Sequence, residues 1–157
     1  MTARAGIDLN PLDPADPDAA AWLENLVWPE HGERRARLRA ALAVAAASPC
    51  CVEAGDMRTE LARRVEALAG NDPVVVYHSA VAAYLSPSDR ERFDLTMRGL
   101  VAAGACRWVS NEAPGVLPSV TATAATEPPD AAFVLGVDGR AVAFTDGRVA
   151  WARWLGA

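Results

Sequence analysis

Four short apolar runs punctuate the first 110 residues of the chain, and each of the first three gives way to a stretch with helical spacing. The runs are "GID", closing at Asp8, "CCVEA" at 50–54, "VVVYHS" at 74–79 and "CRWVS" at 106–110. Consecutive apolar residues suit a strand covered on both faces, and strands that alternate with helices imply a parallel sheet with helices packed over it. The intervening stretches carry helix punctuation. Asp16 is placed to cap a helix that has Pro17 at its first position, Trp22 and Leu26 on one face, and Pro29 beyond its end. A second helix is expected from His31 to about Ala47, stopped near Ser48-Pro49. A third begins at Asp56, with Leu61, Val65 and Leu68 on one side and Gly70 as terminator, before the turn chemistry of Asn71-Asp72-Pro73. The cleanest start is Ser86-Pro87 with Asp89 three residues on, ahead of Phe93, Met97, Leu100 and Val101, with Gly104 to end the helix.

The final quarter differs in kind. "AFVLGVDGRAVAFTDGRVAWARWL" holds three strand-like runs separated by two Asp-Gly pairs, the strongest short hairpin signal. Ahead of it, "NEAPGVLP" has two prolines and a glycine and is expected to be irregular, and 118–131 lacks periodicity and reads as a flexible surface loop. The expected fold class is therefore α/β: a Rossmann-like, mostly parallel sheet with helices on both faces and an antiparallel C-terminal meander, forming a single domain over 1–157.

Composition narrows the function classes. Hydrophobic residues make up 52% and charged residues 22%, which argues against disorder. No apolar run reaches membrane-spanning length and no leader opens the sequence, so a cytoplasmic protein without membrane attachment is expected. A net charge of −5 argues against a nucleic-acid partner. The one basic run, "RRARLR" at 34–39, sits beside Leu38, Ala41, Leu42 and Ala45 and reads as the solvated side of an amphipathic helix. All 15 cations are Arg, which with the many alanines suggests a GC-rich bacterial genome. Three cysteines, Cys50, Cys51 and Cys106, form no Cys-x-x-Cys pair and have no ligand spacing with His31 or His78, so no metal is expected.

Ligands of open parallel sheets bind beyond the carboxyl ends of the strands. The groups expected there are Asp8, Gly55-Asp56, His78-Ser79 and Ser110-Asn111-Glu112. A short acid on a rigid strand end can accept both vicinal ribose hydroxyls, and an acid on the next strand can accept an adenine amino group. Asp8 and Asp56 are candidates for those roles. Each has a structural reading too: Asp56 as the cap of the following helix, Asp8 as the organiser of the Asn10-Pro11 turn. His78 reads either as a hydrogen-bonded core histidine or as a base. Glu112, with Asn111, is a candidate for substrate contact, and His78 and Glu112 are the candidate catalytic groups. Tyr84 and Trp108 read as packing residues. A Gly-x-Gly turn and a phosphate-binding loop with Lys do not occur in the sequence.

The segments "GIDLNPLD", "WLENLVWPEHGERRARLRAALAVA", "VVVYHSAVAAYLSPSDRERF" and "WVSNEAPG" resemble the C-terminal half of an uncharacterised bacterial family, a domain of unknown function common in actinobacteria. That family is similar in architecture to S-adenosylmethionine-dependent methyltransferases. The resemblance implies that Asp8 holds the ribose of S-adenosylmethionine and that Asp56 lies near the adenine. It also implies that Tyr77 and His78 lie where cofactor and substrate meet, and that the first strand, with its glycine turn, is missing here. Two functions follow as expectations. One is a relative of the methyltransferases without the glycine-rich cofactor motif, inactive as this chain alone. The other is a non-catalytic α/β module that associates with another subunit or partner, for instance as a homodimer through an exposed sheet edge.

Overall fold

The computed structural model of the protein describes residues 4–48, 51–68 and 73–156. The chain divides into two compact units, Met1–Glu60 and Leu61–Ala157. The expected strand start at Cys50, the stop at Pro49, the Gly70 terminator and the Asn71-Asp72 turn lie outside the described residues.

In the first unit, strand β1 (Ala5–Asp8) is followed by helices α1 (Pro17–Asn25) and α2 (Gly32–Ala47) and strand β2 (Cys51–Ala54). β1 and β2 pair in parallel, with Ala5 opposite Cys51 and Asp8 opposite Ala54. Asp16 caps α1 as its sequence suggests, its Oδ1 accepting the Asp18 N–H at 2.9 Å with Pro17 at the first position. α1 and α2 bury no residue fully; Trp22, Leu26 and Trp28 are exposed, and among the described residues of the unit Val27 is the buried apolar side chain. Trp22 and Leu26, which share a face of α1, are thus both exposed. Along α2 the arginines Arg34, Arg37 and Arg39 face solvent while Leu38, Leu42 and Ala45 are half-buried. Arg39 reaches α1 and pairs with Glu24 at 2.8 Å, which holds the Glu24 carboxyl below its ordinary pKa. Helix α3 (Met57–Leu68) starts at the close of this unit and continues into the second, where Val65 is buried.

The second unit is built on a five-stranded sheet in the order β3-β4-β5-β6-β7: β3 (Val75–Ser79), β4 (Arg107–Glu112), β5 (Phe133–Val137), β6 (Arg140–Thr145) and β7 (Ala152–Trp154). Only β3 and β4 run parallel, joined by helix α4 (Pro87–Ala102); the other three pairings are antiparallel. The expected single, mostly parallel sheet is therefore corrected to a parallel pair and a mostly antiparallel five-stranded sheet. The difference lies before β5: the segment 113–132 is long enough for a crossover but forms only the short helix at Pro118–Thr121, not a crossover helix of the kind that returns a chain in parallel, and β5 folds back as the antiparallel neighbour of β4.

Helix α4 has the capping box its sequence announces. Ser86 Oγ accepts the Asp89 N–H at 3.2 Å and donates to the Asp89 carboxylate at 2.8 Å, and Gly104 ends the helix at φ 69°. Its Phe93, Met97 and Leu100 join Trp108, Val134, Ala143 and Phe144 in the core. Trp108, Phe144 and Met97 are fully buried, and each side chain of this kind stabilises the fold by about 1.5–3 kcal/mol.

Three further expectations are corrected. Asn111 and Glu112 belong to β4 and not to an irregular loop, because they continue the β3 register (Ser79 opposite Asn111) and are buried. Within 118–131, Pro118–Thr121 forms a short helix α5 that buries Val120, with Thr121 Oγ1 donating to the Pro114 carbonyl at 2.7 Å. Both of the Asp-Gly pairs turn the chain, but differently. Asp138 (φ 50°) and Gly139 (φ 78°) make the tight turn between β5 and β6. After Asp146-Gly147 the next strand begins only at Ala152, because the Asp146 side chain gathers the Ala150 and Trp151 N–H groups into a wider loop.

Candidate functional site

Parallel pairing fixes what stands at the carboxyl ends of the strands, and each unit has one such rim. In the first unit the rim carries Asp8 and Asp56. The register is direct: the Gly55 N–H donates to the Asp8 carbonyl at 2.9 Å, so the residue after β2 sits beside the end of β1. Asp8 Oδ1 accepts the Asn10 N–H at 2.8 Å, organising the turn before Pro11, and its other oxygen makes no hydrogen bond among the described residues. Asp56 is more committed. It accepts the Arg58 N–H at 2.9 Å at the start of α3, and the Arg58 guanidinium grips both carboxylate oxygens. The Arg58 side chain, followed by its backbone N–H, holds the Asp56 carboxyl below its ordinary pKa. Both structural readings of these acids are met, and both acids stand on one rim.

In the second unit the rim of β3 and β4 closes inward. His78 lies opposite Ser110 in register, so Trp108 and Glu112, two residues either way along β4, reach the imidazole from its two sides. The Trp108 indole N–H donates to His78 Nε2 at 3.0 Å, and His78 Nδ1 lies 2.8 Å from Glu112 Oε1. An indole nitrogen can only donate, so Nε2 is the acceptor and the ring proton is assigned to Nδ1, facing Glu112. Phe93 meets the imidazole edge-on at 5.1 Å between centroids, and the Trp108 ring lies near-parallel to it at 6.1 Å. All three polar partners are buried.

Glu112 Oε1 also accepts the Val81 and Ala82 N–H groups, each at 3.0 Å. The chain reaches that position because Ala80 takes a left-handed conformation at φ 53°, with its own N–H on the Asn111 carbonyl. Burial pushes the Glu112 carboxyl up, but the His78 hydrogen bond and then the Ala82 and Val81 N–H groups outweigh it and leave it below its ordinary pKa. Asn111 is satisfied internally as well: Nδ2 donates to Ser79 Oγ at 3.2 Å and Oδ1 accepts from Thr145 Oγ1 at 2.8 Å. Tyr77 points the other way along β3 and is 61% exposed.

The sequence candidates thus fall into three places. Asp8 and Asp56 share one rim, His78, Glu112 and Asn111 form a buried polar cluster, and Tyr77 stands outside on an edge strand. Sequence reading missed the donor role of Trp108 and the reach of Asp138. The Asp138 carboxylate accepts the Trp108 N–H at 2.8 Å and pairs with Arg107 at 2.6 Å, pinning the hairpin turn to the start of β4. The spacing of Trp108, Ser110 and Glu112 at alternate positions was the available signal for a one-sided buried cluster. No group of three metal-ligating side chains comes together, and no helix is long and apolar enough to cross a membrane, among the described residues.

Neither a curated protein nor a solved structure matches the chain. A family model does, over residues 1–154, under the description "Uncharacterized protein conserved in bacteria (DUF2332)". The chain belongs to this family of uncharacterised bacterial proteins, DUF2332.

Proposed function

We propose that the β1–β2 rim binds a nucleoside, as the corresponding rim does in S-adenosylmethionine-dependent methyltransferases, and that the chain is related to that class. One observation supports the reading: Asp8 ends β1 opposite Ala54 of the parallel strand β2, and Asp56 follows two residues later at the same rim, next to Gly55, whose N–H donates to the Asp8 carbonyl. The ribose end of such a ligand fits. Asp8 has an oxygen left over after its turn, and one carboxylate oxygen can accept from a vicinal diol. Asp56 becomes available to an adenine amino group when the half-exposed Arg58 side chain swings aside. The rest of the cofactor does not fit. Gly6 and Gly55 abut Val52 and Ile7 and leave no open backbone cradle, so no methyl transfer is derived from these residues.

His78 has both ring nitrogens engaged, by Trp108 and by Glu112, and Glu112 Oε1 takes the His78, Val81 and Ala82 N–H groups, while its Oε2 is buried without a hydrogen-bond partner among the described residues. They act in this reading as a clamp that sets the shape of the β3 end. The test is an amide-resonance titration with adenosine, S-adenosylmethionine and 2′,3′-dideoxyadenosine. Adenosine and S-adenosylmethionine shift Asp8, Asn10 and Gly55 in the millimolar range, the dideoxy analogue does not, and Asp8→Asn abolishes the response. Equal binding of the dideoxy analogue, or no response to any of the three, rules the reading out.

A second reading is self-association through β3. Among the described residues this strand pairs only with β4, and its Val75 and Tyr77 are 60% and 61% exposed, an apolar edge strand that a second copy can extend. Sedimentation across a concentration series tests it, and a dimer abolished by Tyr77→Lys supports it; a monomer at every concentration excludes it.

A further inference from the structure

We infer that the second unit binds the end of a slender primary amine, held by Glu112 Oε2 in the space beneath helix α5. Ser110 and Glu112 stand on one face of β4, and Val134 lies opposite Glu112 on β5. Leu117, Val120 and Thr121 close over them from α5 and the residue before it. The narrow space between has no room for a water molecule while α5 is down. Its walls are apolar at Leu117, Val120 and Val134, and Glu112 is the ionised group that lines it.

Two observations say what enters. First, the Glu112 side chain is 3% exposed and its Oε1 takes three N–H groups, yet Oε2 has no hydrogen-bond partner among the described residues. Buried polar atoms are nearly always partnered, and a carboxylate oxygen stripped of water has the strongest call for a donor. Second, the charge is left uncompensated. His78 accepts the indole N–H at Nε2 and is therefore the neutral ring. Two arginines of α4 reach the neighbouring segments, but neither pairs with Glu112: Arg90 donates to the Ala82 and Ala83 carbonyls, and Arg98 to Asp94 and Ser119. The group that completes the site is thus a donor carrying one positive charge, with methylenes behind it against Leu117, Val120 and Val134. Entry requires α5 to lift. Thr121 Oγ1 donates to the Pro114 and Leu117 carbonyls, bonds internal to the segment, while Arg98 to Ser119 Oγ and the Ala141 N–H to Thr123 Oγ1 tie it to α4 and β6 at the exposed surface. The clamp uses Oε1 and this site uses Oε2, so the two roles coexist.

The experiment is an amide-resonance titration of the full chain with methylammonium, methanol and tetramethylammonium, at constant chloride. Methylammonium moves Glu112, Ala113, Val120 and Thr121 to saturation. Methanol, a neutral donor, binds about tenfold more weakly, the part of a buried charge pair's attraction that survives the cation's loss of water. Tetramethylammonium, a cation without an N–H, leaves those resonances in place. Glu112→Gln abolishes the preference for methylammonium over methanol. Val120→Ala, which leaves Glu112 and its three donors untouched, opens room under α5 and tightens methylammonium binding severalfold. Equal responses to methylammonium and either control, no response to methylammonium, or an affinity unchanged in Val120→Ala overturns the inference. Adenosine shifts at Asp8, Asn10 and Gly55 are read in the same spectra, so either site can fail alone.

Discussion

Truncating Glu112 to alanine tests whether the buried cluster holds the second unit together. The substitution strips the acceptor from three donors at once: His78 Nδ1–H, the Ala82 N–H and the Val81 N–H. The first two are buried and the third partly so. A buried donor left without a partner costs about 1–3 kcal/mol, so the loss is on the order of 4 kcal/mol, a large part of the stability of a small domain. Glu112→Gln keeps an acceptor but gives up the charge; charge-assisted bonds are roughly twice as strong as neutral ones, and the expected cost is about 1–2 kcal/mol.

The pH dependence separates this account from simple loss of packing. The folded-state pKa of Glu112 lies below its unfolded value. Its stabilisation is therefore complete above the unfolded value, about 4.3 for a glutamate, and is lost as pH falls through the folded value. The gap between wild type and Glu112→Gln should be constant near neutrality and should shrink on acidification below that range. Urea unfolding followed by circular dichroism and tryptophan fluorescence at a series of pH values measures it. A cost for Glu112→Ala under about 1 kcal/mol at neutral pH, or a Gln gap that grows with acid, would refute the clamp.

Other outcomes follow from single sites. Gly136→Ala places a Cβ 2.7 Å from both Ser110 Oγ and Val120 Cγ1, so overpacking between β5 and α5 should lower stability by about 1–3 kcal/mol in the same urea assay. Ser86→Ala removes the cap of α4 and should cost about 1 kcal/mol, while Ser86→Asp should restore most of it. Cys106 is buried, and burial followed by the nearby Asp138 charge pushes its thiol up, whereas Cys51 is exposed. Mass spectrometry after brief iodoacetamide treatment should find Cys51 alkylated and Cys106 protected until denaturant is added.

What could be read from the sequence was local. Asp16-Pro17, Ser86-Pro87 and Asp138-Gly139 each act within four residues, and each stands where its chemistry requires. Apolar runs located the strands but not their partners. A run such as "AFVLGV" is equally suited to a parallel or an antiparallel neighbour, and the run itself does not say whether the chain before it forms a crossover helix. The Trp22–Leu26 stripe shows the same limit: periodicity marks a face without saying what covers it. At the candidate sites, spacing brought Asp8 and Asp56 to one rim, because two strand ends in a parallel pair are neighbours by construction. It could not reveal that Arg58 would engage Asp56, or that Trp108 would close the free nitrogen of His78, since both depend on side-chain reach across the fold.

The pairing pattern also sets an order of assembly. β5 and β6 meet across two residues, and Asp138 can seize the start of β4 as soon as that hairpin exists, so this meander needs almost no chain entropy to nucleate. β3 must wait for all of α4 before Val75 finds Arg107, and Ala5 finds its partner only once Cys51 has been made. During synthesis the parallel strands leave the ribosome first yet complete their pairing over the longest loops, so the nascent chain carries its apolar N-terminal segments exposed for the longest time.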